Sequence, residues 1–273
     1  MNPNEPLLCI LLALALPATL AEAGAGRQIV GLTERLQNAQ MSSIGTLVGQ
    51  TPKGSWVGGA AVIAQTDCHL AVSTAGHNIY DGQGHPTTSI EKMHIRLGAL
   101  RLPVVRAVTD PATRSTTAPE NDWAVVIAEK PRCGIQFTTL DPRPIKQSQL
   151  PASGLRVQMI CFHHDSRRLK DSLATESCRM YPTGQHFNGL YRSKHKQPVG
   201  LHSCKADLGT SGCPLVVSNG SQLQFVGTQI EAHPSTGAGV ARLFADAYER
   251  GFKIAMRAME AVEQHQAPHL AQR

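Results

Sequence analysis

Short apolar runs rich in Val, Ile, Leu and Ala, each closed by glycine, proline or small polar residues, recur from Trp56 to Leu243. Runs of this length, with β-branched residues inside and turn formers at both ends, read as strands. Trp56 to Ala64, His69 to Ser73, His94 to Leu97, Leu102 to Val108 and Trp123 to Ala128 form an early set. Val157 to Phe162, Ala174 to Tyr181, Leu215 to Val217, Gln224 to Ile230 and Gly239 to Leu243 form a late one. The stretch Cys133 to Leu150 between them is turn-rich, with Pro142 and Pro144 inside it and Pro151 just after. Gly58 and Gly59, inside the first run, predict a β-bulge. After Leu243 the period changes. Phe244, Tyr248, Phe252, Met256 and Met259 fall three and four residues apart, which predicts an amphipathic helix over 244–264. The pattern as a whole predicts an all-β chain in two halves, about 44–135 and about 150–243, followed by that helix. With 24 glycines and 17 prolines, the 273 residues carry enough turn formers for such a fold.

The N-terminus is different. Residues 7–20 are an apolar run of signal-peptide length, and Ala21-Glu22-Ala23 fits the small-residue rule for cleavage. Residues 1–23 are therefore expected to be a cleaved export signal, leaving a domain over 24–273 that is secreted or periplasmic. Met1 to Pro6 lacks the usual positive charge, so an uncleaved anchor remains open; the run is short and proline-broken for a membrane span. No stable membrane association is expected once the signal is removed.

Charge and cysteines narrow the function. The net charge is +6, and its densest clusters are Arg167-Arg168-Leu169-Lys170 and Arg192-Ser193-Lys194-His195-Lys196. Neither interleaves with aromatic residues for base stacking, so no nucleic-acid partner is expected. Cys9 leaves with the signal, and Cys68, Cys133, Cys161, Cys178, Cys204 and Cys213 remain. An even number in an exported chain points to disulfides. Cys161 with His163 and His164, and His202 with Cys204, lack a second pair at structural-zinc spacing, so no metal or other cofactor is expected.

The candidate chemistry lies at the ends of strands. Gly209-Thr210-Ser211-Gly212-Cys213-Pro214 is a glycine-rich turn that presents a serine ahead of an apolar run. His77 closes the strand ending Thr74-Ala75-Gly76, and Asp122 opens the one beginning Trp123-Ala124. Taken singly, each reads as an ordinary turn or capping residue. Together they supply a nucleophile, a base and an acid to orient the base. A hydroxyl needs an imidazole to take its proton, and the imidazole needs a carboxylate to set its tautomer.

These motifs resemble those of the chymotrypsin-like serine peptidases. Thr74-Ala75-Gly76-His77 is similar to the family's Thr-Ala-Ala-His, and Asn121-Asp122-Trp123-Ala124-Val125-Val126 to its Asn-Asp-Ile-Ala-Leu-Leu. Gly209-Thr210-Ser211-Gly212-Cys213-Pro214-Leu215 is similar to its Gly-Asp-Ser-Gly-Gly-Pro-Leu, and Gly239-Val240-Ala241-Arg242-Leu243 to its late Gly-Val-Tyr-Thr-Arg-Val strand. The resemblance implies two packed six-stranded antiparallel barrels with a C-terminal α-helix. It implies His77, Asp122 and Ser211 as the catalytic residues of a serine endopeptidase, with the N–H groups of Gly209 and Ser211 as the oxyanion hole. The implied substrate is a protein or peptide. The alternative is a catalytically silent member kept as a binding module.

The departures also carry information. Thr210 replaces the aspartate that pairs with a new N-terminus in trypsin-like zymogens, although Arg27-Gln28-Ile29-Val30-Gly31 looks like an activation site. The chain thus resembles the bacterial glutamyl-endopeptidase-like branch more closely. Asn78 stands where the family has a cysteine. The implied fold pairs Cys161 with Cys213 and Cys68 with Cys133, leaving Cys178 with Cys204, out of fifteen possible pairings. It also lines the substrate pocket with Lys205, Gln229 and Gly239. Lys205 would favour an acidic side chain if it pointed inward, whereas Gln229 stands where the glutamyl branch has a histidine.

Overall fold

The structure is a computed structural model that describes residues 28–31, 35, 38–114, 118–163, 172–183, 198–207, 209–232 and 238–270. The expected signal 1–23, the two basic stretches and His164 lie outside the described residues. The strands are β1 (Gln28–Ile29), β2 (Ile44–Thr51), β3 (Gly54–Gln65), β4 (His69–Thr74), β5 (Met93–Leu97), β6 (Leu100–Thr109) and β7 (Ala124–Glu129). The later strands are β8 (Asp141–Pro142), β9 (Leu155–His163), β10 (Ser172–Pro182), β11 (Val199–His202), β12 (Pro214–Asn219), β13 (Gln222–Ala232) and β14 (Gly239–Leu243). One helix, α1 (Ala247–Leu270), follows.

Two closed six-stranded barrels result. The first runs β2-β3-β4-β7-β6-β5 and back to β2. The second runs β10-β11-β14-β13-β12-β9, and the β9–β10 pairing closes it. All of these pairings are antiparallel. β1 adds to the outer edge of β10, and β8 pairs in parallel with β13, so segments on both sides of the first barrel attach to the second.

Pleating explains why several strands read as unbroken apolar runs. In β3, β4 and β7 the residues Val62, Leu70, Val72, Ala124 and Val126 point into the first barrel. Their alternates Ile63, Ala71, Val125 and Ile127 meet a second apolar cluster containing Ile160, Val216 and Phe225 of the other barrel and Tyr248 and Met259 of α1. A strand buried on both faces has no polar alternation to show. The second barrel encloses Val157, Met159, Met180, Leu215, Val226 and Leu243.

Two expectations require correction. The helix begins at Ala247, not Phe244, because Phe244 donates its N–H to Val226 O at 2.9 Å and Asp246 takes φ 53°. Phe244 still joins the apolar cluster under the helix, which is why its spacing fits the helical pattern. The bulge expected at Gly58-Gly59 is absent, since β2 and β3 pair without a break from Ile44–Ala61 to Thr51–Gly54. The register shift in β3 falls between Val62 and Ala64, against β4. Among the described residues, no helix is long and apolar enough to cross a membrane.

The three expected disulfides, Cys68–Cys133, Cys161–Cys213 and Cys178–Cys204, are all formed. Each lies within a single barrel.

Candidate active site

His77 and Asp122 come from adjacent strands of the first barrel. β4 pairs with β7, with Thr74 opposite Ala124, so the residues just beyond Thr74 and just before Ala124 emerge at one end of the barrel. A short 3-10 turn, Gly76–Asn78, carries His77, and another, Pro119–Asn121, leads into Asp122. Asp122 holds the histidine at two points. Its Oδ1 accepts the His77 backbone N–H at 2.8 Å, and its Oδ2 lies 2.7 Å from Nδ1. The Nδ1 contact fixes Nδ1 as the protonated nitrogen and leaves Nε2 as the basic one. Burial disfavours the charged imidazole, but the hydrogen bond and negative charge of Asp122, with Glu231 beyond it, outweigh this and raise the His77 pKa above its ordinary value.

The serine loop comes from the second barrel and packs against the histidine turn. Gly59 donates its N–H to the Ser211 carbonyl at 2.7 Å, and the Asn78 side chain donates to the same oxygen at 3.2 Å. Asn78 Nδ2 also donates to Thr74 Oγ1 at 3.0 Å, and that hydroxyl donates to Gly59 O at 2.8 Å. Thr74, Gly59, Asn78 and Ser211 are thereby joined across the two barrels. Gly212 must be glycine: its φ is 94°, and a Cβ there would overlap Gly59 O and stand 2.5 Å from Thr74 Oγ1.

The rest of the loop is fixed from its own barrel. Gly212 donates to Gln229 O at 2.7 Å and Gln229 to Cys213 O at 2.9 Å, while Cys213 is bonded to Cys161 of β9. Thr210 is buried, and both its N–H and its hydroxyl donate to Asp207 O, at 3.1 and 2.7 Å. The residue standing in for the zymogen aspartate therefore closes the loop on itself. Gly209 takes φ 88°. Among the described residues, the N–H groups of Gly209 and Ser211 donate no hydrogen bond, whereas those of Thr210, Gly212 and Cys213 all do. The Ser211 hydroxyl likewise has no hydrogen-bond partner among them, His77 included. A cleft of about 290 Å³ opens beside His77, lined by Tyr80, Asp81, Thr113 and Asp122 of the first barrel and Ile230 and Glu231 of the second.

The pocket residues expected from the sequence part company. Gln229 and Gly239 meet around His202: a side chain at Gly239 would overlap the His202 ring and approach Gln229 Oε1. His202 Nε2 donates to Gln229 Oε1 at 2.5 Å, and Gln229 Nε2 donates to Glu231 O at 2.7 Å. Complete burial pushes the His202 pKa down to about 4, so the ring is neutral near pH 7. Lys205 is exposed, and its backbone N–H donates to Glu176 at 2.9 Å. The sequence brings Asn78 into view as a departure from the family motif and His202 as a companion of Cys204, but neither the bond from Asn78 to Ser211 nor that from His202 to Gln229 is legible there. Asn78 sat in plain view beside His77, but its partner Ser211 is 133 residues away.

No protein-family model matches the chain, and no curated protein matches it in sequence. Solved structures do. The chain is similar to a thermostable serine protease, AL20, from an extremophilic microorganism, with a TM-score of 0.62 and 15% identity over 80% of this chain and 98% of that one. It is similar to the protease Anisep of Arthrobacter nicotinovorans, with a TM-score of 0.61 and 14% identity over 80% of this chain and 96% of that one. A Glu endopeptidase aligns at a TM-score of 0.60 and 15% identity, covering 84% of this chain and 96% of the other. A scabies mite inactivated protease paralogue aligns at 0.59 and 14%, covering 83% of this chain and 96% of the other. The fold is the chymotrypsin-like double barrel that these structures share.

Proposed function

We propose that the protein is an exported serine endopeptidase. Ser211 attacks the scissile carbonyl while His77 Nε2 takes its proton, with Asp122 holding the ring and stabilising the imidazolium. The N–H groups of Gly209 and Ser211 receive the charge that develops on the carbonyl oxygen. Such donors act on the transition state more than on the ground state, and losing one costs on the order of 100-fold or more in rate. His77 then protonates the departing amine, and water releases the acyl-enzyme by the same route in reverse. The two-point grip of Asp122 on His77, with the Ser211 loop packed on the same turn, carries this reading. Three disulfides are consistent with export.

The substrate is a protein or peptide lying along the cleft beside His77. Its side chain before the cut would lie toward Gln229 and Gly239, where the neutral His202–Gln229 pair offers no charge to match. The reading therefore carries no requirement for an acidic residue.

Labelling with a fluorophosphonate probe tests the assignment. The wild type should be modified and Ser211→Ala should not. A folded wild type that resists the probe would instead support a silent binding module. One observation keeps that second reading in view: the Ser211 hydroxyl makes no hydrogen bond to His77.

A further inference from the structure

Tyr248, in the first turn of α1, touches neither cleft nor solvent, yet it lies between all the parts of the proposed site. Its hydroxyl stands 2.5 Å from Ser73 Oγ and 2.9 Å from Thr228 Oγ1, and those two oxygens are 2.9 Å apart. The three hydroxyls close a ring in which three protons serve three hydrogen bonds, each group donating once and accepting once. All three residues are fully buried. Ser73 belongs to β4 of the first barrel, next to the Thr74 that anchors Gly59 and Asn78. Thr228 belongs to β13 of the second barrel, opposite Pro214 and next to the Gln229 that holds Gly212 and Cys213.

The ring of Tyr248 reaches the third member. It stacks on Trp123, the neighbour of Asp122, with centroids 5.2 Å apart and planes 18° from parallel. Helix α1 is pressed onto that indole: a Cβ at Gly251 would overlap Trp123 Cη2. Arg242, whose guanidinium lies 5.9 Å from the Tyr248 ring, donates from Nε to Glu120 O at 2.7 Å and so holds the turn before Asp122. Burial raises the phenol's pKa to about 12, so it stays a neutral donor at any working pH.

We propose that Tyr248 is a positioning residue, whose hydroxyl sets the register of the two barrels and so brings the Ser211 loop to the His77–Asp122 pair. The proposal rests on the endopeptidase reading for its consequence, but its geometry is independent of that reading. No disulfide crosses between the barrels among the described residues, so the register depends on noncovalent contacts of this kind. A displacement near 1 Å is enough to cost about 100-fold in a reaction that depends on alignment.

The experiment compares Tyr248→Phe with Met259→Ala, which empties a buried position on the same helix away from the hydroxyl ring. Two readouts are taken on folded protein below the melting temperature. One is fluorophosphonate labelling, separated into probe affinity and inactivation rate. The other is hydrogen exchange at the Gly212 and Cys213 amides, which needs no activity. Tyr248→Phe should slow inactivation about ten- to hundredfold with affinity unchanged, and should speed exchange at both amides. Met259→Ala should lower the melting temperature while leaving both readouts near wild type. If Tyr248→Phe matches wild type in both, or Met259→Ala slows inactivation as much, the proposal is overturned. If the wild type resists the probe while Tyr248→Phe still speeds the amide exchange, the endopeptidase reading fails and the positioning role stands.

Discussion

At the residue scale, the behaviour of the proposed site turns on one pKa. His77 serves as a base only when neutral, and Asp122 with Glu231 holds its pKa above the ordinary 6.5. The labelling rate should therefore rise with pH through a midpoint above 6.5. Asp122→Asn removes the hydrogen bond and charge that raise the pKa and leaves the burial that lowers it. The midpoint should move to lower pH, while the plateau falls by on the order of 10⁴-fold because the tautomer is no longer set. A pH profile of labelling for both proteins checks this; an unmoved midpoint would mean that Asp122 does not tune His77. The sign for stability follows from the same shift. A raised histidine pKa favours the folded state below about 6.5, and the benefit is lost as pH rises through the folded value. The pairing of His77 with Asp122 was legible because each sits at a strand end in a short motif, and Ser211 was proposed with them on the same ground. Asn78 and His202 were not legible in this way, because their meaning lies in partners that a linear reading cannot place.

At the element scale, the Glu263 carboxylate ties helix α1 to the turn between β3 and β4. Glu263 accepts hydrogen bonds from Thr66 Oγ1 at 2.5 Å, from Cys68 N at 2.7 Å and from Asp67 N at 3.2 Å, and lies 3.1 Å from His69 Nδ1. Partial burial opposes its charge, but these donors outweigh burial and hold its pKa below the usual carboxylate value. A depressed carboxylate stabilises the fold above its unfolded pKa, and that contribution is lost as pH falls through the folded value. Glu263→Gln should cost about 1–3 kcal/mol at neutral pH. The loss corresponds to a fall of about 2–4 °C per kcal/mol in a domain of this size. Melting curves from pH 3 to 7 should show the gap between the two proteins closing toward acid; a constant gap would assign the cost to packing instead. The helix itself was readable from its spacing. Strand β2 was not, because Gly45 and Gly49 dilute its apolar pattern. Both are glycine for closeness of neighbours: a Cβ would overlap the Arg96 carbonyl at the first and the Trp56 ring at the second. β11 is four residues long and includes Gly200, too short to stand out from turn.

At the scale of the whole molecule, covalent and noncovalent ties are divided between levels. Cys68–Cys133 closes a loop in the first barrel, and Cys161–Cys213 and Cys178–Cys204 close loops in the second. The barrels meet through an apolar cluster that draws Ile63, Val125 and Ile127 from one, Ile160, Val216 and Phe225 from the other, and Tyr248, Ala255 and Met259 from the helix. Burying a side chain of this size contributes about 1.5–3 kcal/mol, so separating the barrels exposes more than either could retain. Neither barrel should then be stable alone, and calorimetry should give one transition with matching calorimetric and van't Hoff enthalpies. Loops spanning 65, 52 and 26 residues each contribute about 3–4 kcal/mol in the chain-entropy account. Reduction should therefore lower the melting temperature by roughly 20 °C or more while the transition stays single, because the shared cluster remains. Two resolved transitions, in either redox state, would mean that the barrels fold as separate units and that the cluster between them is an interface rather than a common core.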